Sequence, residues 1–215
     1  GGKCEYEVRY KMCDNNRMYL YKMGGIQMLQ RHIRGFLCDG VMMDYDMKNC
    51  HPTFAKFLCD KHGIDCDYLS MYCNNREKCW LRIHDLEGSE LREAGKKSVL
   101  VAMNTDKVSG KGWLKEFSTE MDKIKRAILE KETPQHSTNL KNPLSSRFNK
   151  VLCLYENELL QTAINDNNCC VPMFDGFLSQ QVVDVTWLNG LGEKYGISWD
   201  IKEHSNRIQL PENWS

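Results

Sequence analysis

Asp44 and Asp46 stand two residues apart at the end of the apolar run Val41-Met42-Met43. In a strand that spacing brings both carboxylates out on one face. A carboxylate pair at a strand end is a common way to hold a divalent cation. The plain alternative is an exposed strand end carrying two solvated acids. Two further pieces could do chemistry with them. Arg92 and Lys96 lie four residues apart, on one helical face, where they could neutralise a triphosphate. Asp175 is followed by Gly176 between two apolar runs, in what reads as a tight hairpin turn. Carboxylates from different strands can bridge two divalent ions and so support in-line attack on phosphorus. Singly, each piece has a bland reading, as a solvated helix face or an ordinary Asp-Gly turn. Taken in chain order, they describe a nucleotidyl-transfer site.

The elements that must position these residues follow from periodicity. Residues 5–12 alternate as a strand, residues 15–25 read as a turn with a short extended piece, and residues 26–37 as a short helix. After the strand at 41–46, His51 precedes Pro52 at a helix-start position, and Phe54, Phe57 and Leu58 recur at helical spacing up to His62. Residues 67–83 are helical. The run from Ser89 to Met103 is a helix with Ser89 as its N-cap. Trp113, Phe117, Met121, Ile124 and Ile128 form the apolar stripe of another helix. Residues 134–146 are the best loop candidate, and Phe148, Val151, Leu152, Tyr155, Leu159 and Ala163 mark the helix that follows. Residues 170–178 read as strand, turn, strand, residues 182–196 as a last helix ending at Gly196, and residues 197–203 as a last strand. The order strand, acid, helices, strand, acid predicts an α+β fold with an antiparallel sheet and helices on one face of it. Residues 1–50 and 140–215 would form the sheet domain, with 51–139 as a mainly helical insertion.

Composition narrows the class. With 215 residues and 41% apolar content the chain can bury a sizeable core. Its net charge is zero, so any nucleic-acid surface must be local. No apolar run is long enough to span a bilayer, and no signal-peptide pattern is present, which predicts a soluble intracellular protein without membrane association. The eleven cysteines contain no C-x-x-C pair, so they read as reduced thiols used as small hydrophobes in a reducing compartment.

The series of motifs resembles the palm and fingers of family A DNA polymerases. In that family motif A places a metal-binding Asp at a strand end, motif B is R-x3-K-x7-Y-G on a fingers helix, and motif C is an Asp in a hairpin. Here motif A corresponds to Asp44-Tyr45-Asp46-Met47-Lys48-Asn49-Cys50-His51-Pro52, motif B to the run from Arg92 to Asn104, and motif C to Met173-Phe174-Asp175-Gly176-Phe177. Upstream, the run from Arg17 to Gln27 and then Arg31 to Arg34 is similar to the family's R-L-S-S…N-L-Q segment and its arginine-rich continuation. The resemblance implies a palm-type sheet, two Mg²⁺ or Mn²⁺ ions, and a DNA primer-template with nucleoside triphosphates as substrates. Asp44, Asp46 and Asp175 would be the metal ligands, and Arg92 and Lys96 would hold the triphosphate. Leu100 and Asn104 would lie near base or sugar, while Arg17, Gln27, Arg34, Arg147 and Asn149 would touch nucleic acid. The register of motif A stays open. With Asp46 as the principal ligand, His51 takes the sugar-gating place; with Asp44, Asn49 does.

Several departures from the family pattern are plain. Asn104-Thr105 stands where the family has Tyr-Gly, Phe174 where it usually has His, and Gly176 where it has an acid. The motif A glutamate is missing, and no thumb-like or exonuclease segment is recognisable. Such departures resemble divergent relatives in viruses and mobile elements, sometimes joined to a helicase or primase, which would place the chain in a host cytoplasm or nucleus. Two other readings compete: a non-catalytic palm-like nucleic-acid-binding or assembly subunit of a replication complex, and a metal-dependent phosphodiesterase. A binding module has no need of converging acids, and diester hydrolysis has no need of a triphosphate clamp.

Overall fold

The computed structural model describes residues 8–21, 24–132, 141–165, 170–202 and 204. Strands β1 (Tyr10–Met12) and β2 (Met18–Leu20) form a small antiparallel pair, and a 3-10 turn at Ile26–Met28 leads into α1 (Arg31–Cys38). Then come β3 (Met43–Met47), α2 (Cys50–His62), α3 (Asp67–Asn74), α4 (Arg76–Ile83), α5 (Gly88–Asn104), α6 (Gly112–Lys131) and α7 (Pro143–Asn165). The chain continues through β4 (Cys170–Pro172), β5 (Gly176–Ser179), α8 (Val185–Gly192), a 3-10 turn at Glu193–Tyr195 and β6 (Trp199–Lys202). The fold is α+β.

Contacts divide the chain into two units, one of Gly1–Lys48 with Glu156–Ser215, the other of Asn49–Tyr155. The second boundary falls inside α7, not at residue 140, because that helix is continuous from Pro143 to Asn165 and takes part in both units.

The first unit is organised by a four-stranded antiparallel sheet in the order β4-β5-β3-β6. Alternation along β3 sorts its residues between two faces. Tyr45 and Met47 are buried on one face, where Tyr45 stacks on Phe177 of β5 at 5.0 Å and Phe177 meets Trp199 of β6 edge-on at 5.7 Å. Each such aromatic pair contributes roughly 0.5–1.5 kcal/mol beyond simple burial. The Tyr45 hydroxyl also accepts from the Val183 backbone N–H at 2.8 Å, so even its polar tip is tied down. The other face carries Asp44 and Asp46. It is covered in part by α1, whose Cys38 packs with Met173 on Leu178, the residue opposite Asp44. Leu178, on the acid side, is thereby buried under α1.

The helical unit packs around Phe54, Leu58, Leu69, Trp80, Phe117, Met121, Ile124 and Phe148, all buried. Contacts along its length hold α5 in place. A side chain at Gly95 would clash with the Trp80 ring, so glycine lets α4 and α5 close on each other. Trp80 itself lies on the buried side of α4. At the far end the buried Lys125 ammonium of α6 donates to the Ala102 and Thr105 carbonyls at 3.3 and 2.7 Å, capping the α5 C-terminus, and to Ser145 Oγ at 3.0 Å.

Local differences from the expected elements have local causes. The N-cap of α5 is Glu87, and Ser89 lies inside the helix. Helix α2 begins at Cys50, two residues before Pro52, which sits where a backbone N–H has no helical partner anyway. The expected helix over 26–37 is broken at Leu29 and Gln30, both extended, because Gln27 is drawn into the strands. Its Oε1 accepts from Leu20 N–H at 3.2 Å, and its Nε2 donates to the Met18 and Pro172 carbonyls, each at 3.0 Å. Helix α7 starts at Pro143, within the expected loop. Residues 134–140 of that loop and residues 5–7 of the expected first strand lie outside the described residues. The described cysteines are all free; burial pushes the Cys73 thiol up to about 12. No described helix is long and apolar enough to cross a membrane.

Candidate functional site

The acid face of β3 is the centre of the candidate site. Asp44 stands opposite Leu178 of β5 and Lys202 of β6; Asp46 stands opposite Gly176 and Asp200. Residues paired across an antiparallel ladder point to the same face, so this register decides which side chains meet.

The hairpin between β4 and β5 presents Asp175. Met173 N–H donates to the Gly176 carbonyl at 2.7 Å and Gly176 N–H to the Met173 carbonyl at 3.1 Å, leaving Phe174 and Asp175 as the turn. Phe174 has φ 56°, a left-handed conformation that a bulky residue adopts only when its surroundings impose it. Here the Tyr19 ring lies 5.4 Å from the Phe174 ring, and the Arg17 guanidinium lies over it at 5.6 Å. The Asp175 carbonyl accepts from Met47 N–H at 2.9 Å, which pins the turn to the end of β3. The backbone of Asp175 is thus held across from Met47, one residue along β3 from Asp46.

Gly176 explains one departure from the polymerase pattern. A Cβ at this position would clash with the Tyr45 carbonyl and lie 2.6 Å from Asp46 Oδ1. No acid fits there while the Asp46 carboxylate sits over the β5 backbone. Gly176→Ala is expected to cost about 1–3 kcal/mol through overpacking and to displace Asp46. Urea denaturation would measure the first effect. A stability equal to that of the parent protein would show that Asp46 moves aside freely.

Asp200 is a carboxylate that sequence reasoning missed. It was legible only as the outward residue of a strand, and its place opposite Asp46 depends on which strand β6 pairs with. Like charges directly opposite each other are unfavourable. Two diagonal lysines offset the repulsion: Lys48 meets Asp200 at 3.2 Å, and the Lys202 ammonium is paired with Asp46. Partial burial lowers the Lys202 pKa; Asp44 opposes that, and Arg31 and Arg34 of α1 add to it. Arg34 also donates to the Leu29 carbonyl at 3.5 Å.

Arg92 and Lys96 lie in the helical unit, whereas the three acids lie in the sheet unit. On α5 they share one stripe with Leu100 and Asn104, flanked by the buried Leu91, Gly95 and Val99. Asn104 Nδ2 donates to the Leu100 carbonyl at 2.9 Å. Near the start of α2, Asn49 is left-handed with φ 49°, and Thr53 Oγ1 donates to its carbonyl at 2.9 Å. His51 is bracketed by α7: Asn149 Nδ2 lies 3.4 Å from its Nδ1 and Cys153 Sγ 3.8 Å from its Nε2. Arg147, on the same helix, has a buried Nε with no hydrogen-bond partner.

Two residues expected to touch nucleic acid serve internal bonds. Gln27 is buried, and its amide is used by three backbone groups of β2 and the β4 end. Arg17 binds the fully buried Glu156 carboxylate through Nε at 2.6 Å and Nη2 at 2.7 Å. An arginine-to-carboxylate fork of this kind orders a structure, and nothing in the spacing around Arg17 announces a partner so distant in sequence.

No protein-family model matches the chain, and no solved structure matches it. Among curated proteins, 76 residues are 38% identical to a protein described as "Putative helicase V13" from Sputnik virophage. The match takes in 35% of this chain, which spans about 10% of the length of that relative.

Proposed function

We propose that the chain is part of a template-directed nucleotidyltransferase of the DNA-polymerase type, acting on nucleoside triphosphates with two divalent ions. The observation that carries the reading is the strand register. Asp46 lies opposite Gly176, so the backbone of β3 at Asp46 runs next to the Asp175 turn although 129 residues separate the two, as 175 − 46 gives.

The donors fit Mg²⁺ or Mn²⁺. They are hard carboxylate oxygens on a partly buried sheet face, a cradle beside Gly176 keeps room for Asp46, and a cation is already paired with it. Asp46 and Asp175 would hold the ions, with Asp44 as the outer carboxylate. Bound there, the ions would activate the attacking 3′ oxygen and neutralise charge at phosphorus. This chain's own groups do the rest. Arg92 and Lys96 bind the triphosphate oxygens, His51 or Asn49 limits the sugar, and Leu100 and Asn104 lie beside it. Arg34, Arg147 and Asn149 hold the strands, while Arg17 and Gln27 act indirectly by bracing the hairpin and β4. The likeness to a virophage protein named as a helicase is in keeping with a partner or attached domain that opens duplex DNA.

Primer extension tests the reading. The chain, with labelled primer-template, deoxynucleoside triphosphates and Mg²⁺ or Mn²⁺, is expected to lengthen the primer. Asp175→Asn is expected to abolish extension with an unchanged circular dichroism spectrum, since the removed charge serves metal and not core. Extension by Asp175→Asn at the parent rate would overturn the proposal, and tight DNA binding without extension would favour the assembly-subunit reading.

A further inference from the structure

Lys202 is a side chain at the acid face that the proposed reaction does not use. It reaches diagonally across the β3–β6 ladder, from a position opposite Asp44 to the carboxylate of Asp46. The arrangement is built by the sheet: β6 pairs with β3 over Asp44–Met47, which fixes the Lys202 backbone two residues from Asp46 along the ladder. The ammonium is half exposed, at 51%, while Asp46 is 18% exposed, so the lysine can leave for water more readily than the carboxylate can turn away. An acid pair that carried no counterion would repel itself and Asp200 across the ladder.

Resting on the metal-site reading above, we infer that Lys202 is a built-in counterion for Asp46 that the first divalent ion must displace. The competition is one of charge for one carboxylate. An ammonium and a divalent cation cannot both sit on the same oxygens, and the lysine, once released, swings to the half-exposed side of β6. The lysine therefore keeps the site folded and neutralised before metal arrives, and it sets the metal concentration at which the site fills.

Mn²⁺ titration tests this without any turnover. The free ion is followed by electron paramagnetic resonance for the parent chain and for Lys202→Met, Lys202→Arg and Asp46→Asn. A partly exposed ion pair contributes up to about 1 kcal/mol, so Lys202→Met is expected to bind Mn²⁺ roughly three- to fivefold more tightly. Lys202→Arg keeps the charge and is expected to bind like the parent. Lys202→Gln repeats the test should the methionine variant fail to fold. Amine labelling of Lys202, read by mass spectrometry, is expected to speed up when Mn²⁺ is added to the parent chain. Binding that Asp46→Asn abolishes but Lys202→Met leaves unchanged or weaker would overturn the counterion role alone. Binding by none of the proteins would overturn the metal site, and the counterion role with it.

Discussion

Asp46→Asn is expected to lower the rate of nucleotide addition by about a thousandfold, because charge stabilisation at a metal centre is worth several kcal/mol and each 1.4 kcal/mol is a factor of ten. Asp44→Asn is expected to cost far less. The two acids share a face of β3, but only Asp46 lies opposite Gly176, next to the hairpin that carries Asp175; Asp44 lies opposite Leu178, farther along the strand. Single-turnover extension with saturating Mn²⁺ separates them. Equal losses in the two variants would place the metal between both acids of β3 and away from the hairpin. A larger loss at Asp44 would reverse the register and make Asn49, not His51, the residue facing the sugar.

Arg17→Met should destabilise the sheet unit by about 3–5 kcal/mol, the range for breaking a buried ion pair by removing one partner. Glu156 is fully buried and receives both arms of the guanidinium fork, so the variant leaves a carboxylate without its bidentate donor. A second consequence follows at the site. Arg17 also lies over the Phe174 ring, whose left-handed backbone shapes the turn that presents Asp175. Activity at low temperature, where the variant is still folded, should therefore fall as well. Urea denaturation gives the stability, and the double variant Arg17→Met/Glu156→Gln should recover part of the loss, since the buried charge is then gone. A cost below about 1 kcal/mol would show that the pair is solvated in practice.

These two experiments concern residues read from the sequence in very different ways. Asp46 and Asp175 were legible because local pattern carries them: a short apolar run ending in alternating acids, and an Asp-Gly between two apolar runs, are signals contained within about ten residues. Helices α2, α5, α6 and α7 were legible for the same reason, since a stripe at helical spacing is a local property. Ser89 was misread because an N-cap is chosen by where the chain turns, and the turn comes at Glu87 and Gly88.

What the sequence by itself determined about this protein is the alternation that puts Asp44 and Asp46 on one face, the hairpin, and the order of elements that makes the fold α+β. The tertiary structure alone decided which strand lies beside which. That choice set Asp46 against Gly176 and Asp200, gave Lys202 its carboxylate, and turned Arg17 and Gln27 from candidate strand contacts into internal braces. The physical reason is that pairing between distant strands is selected by burial of the whole sheet, here Tyr45, Phe177 and Trp199 on one face and Leu178 on the other, and not by the residues of any one strand. A charge finds its partner only after that selection is made, so no spacing within the chain could announce Glu156 to Arg17 or Lys202 to Asp46.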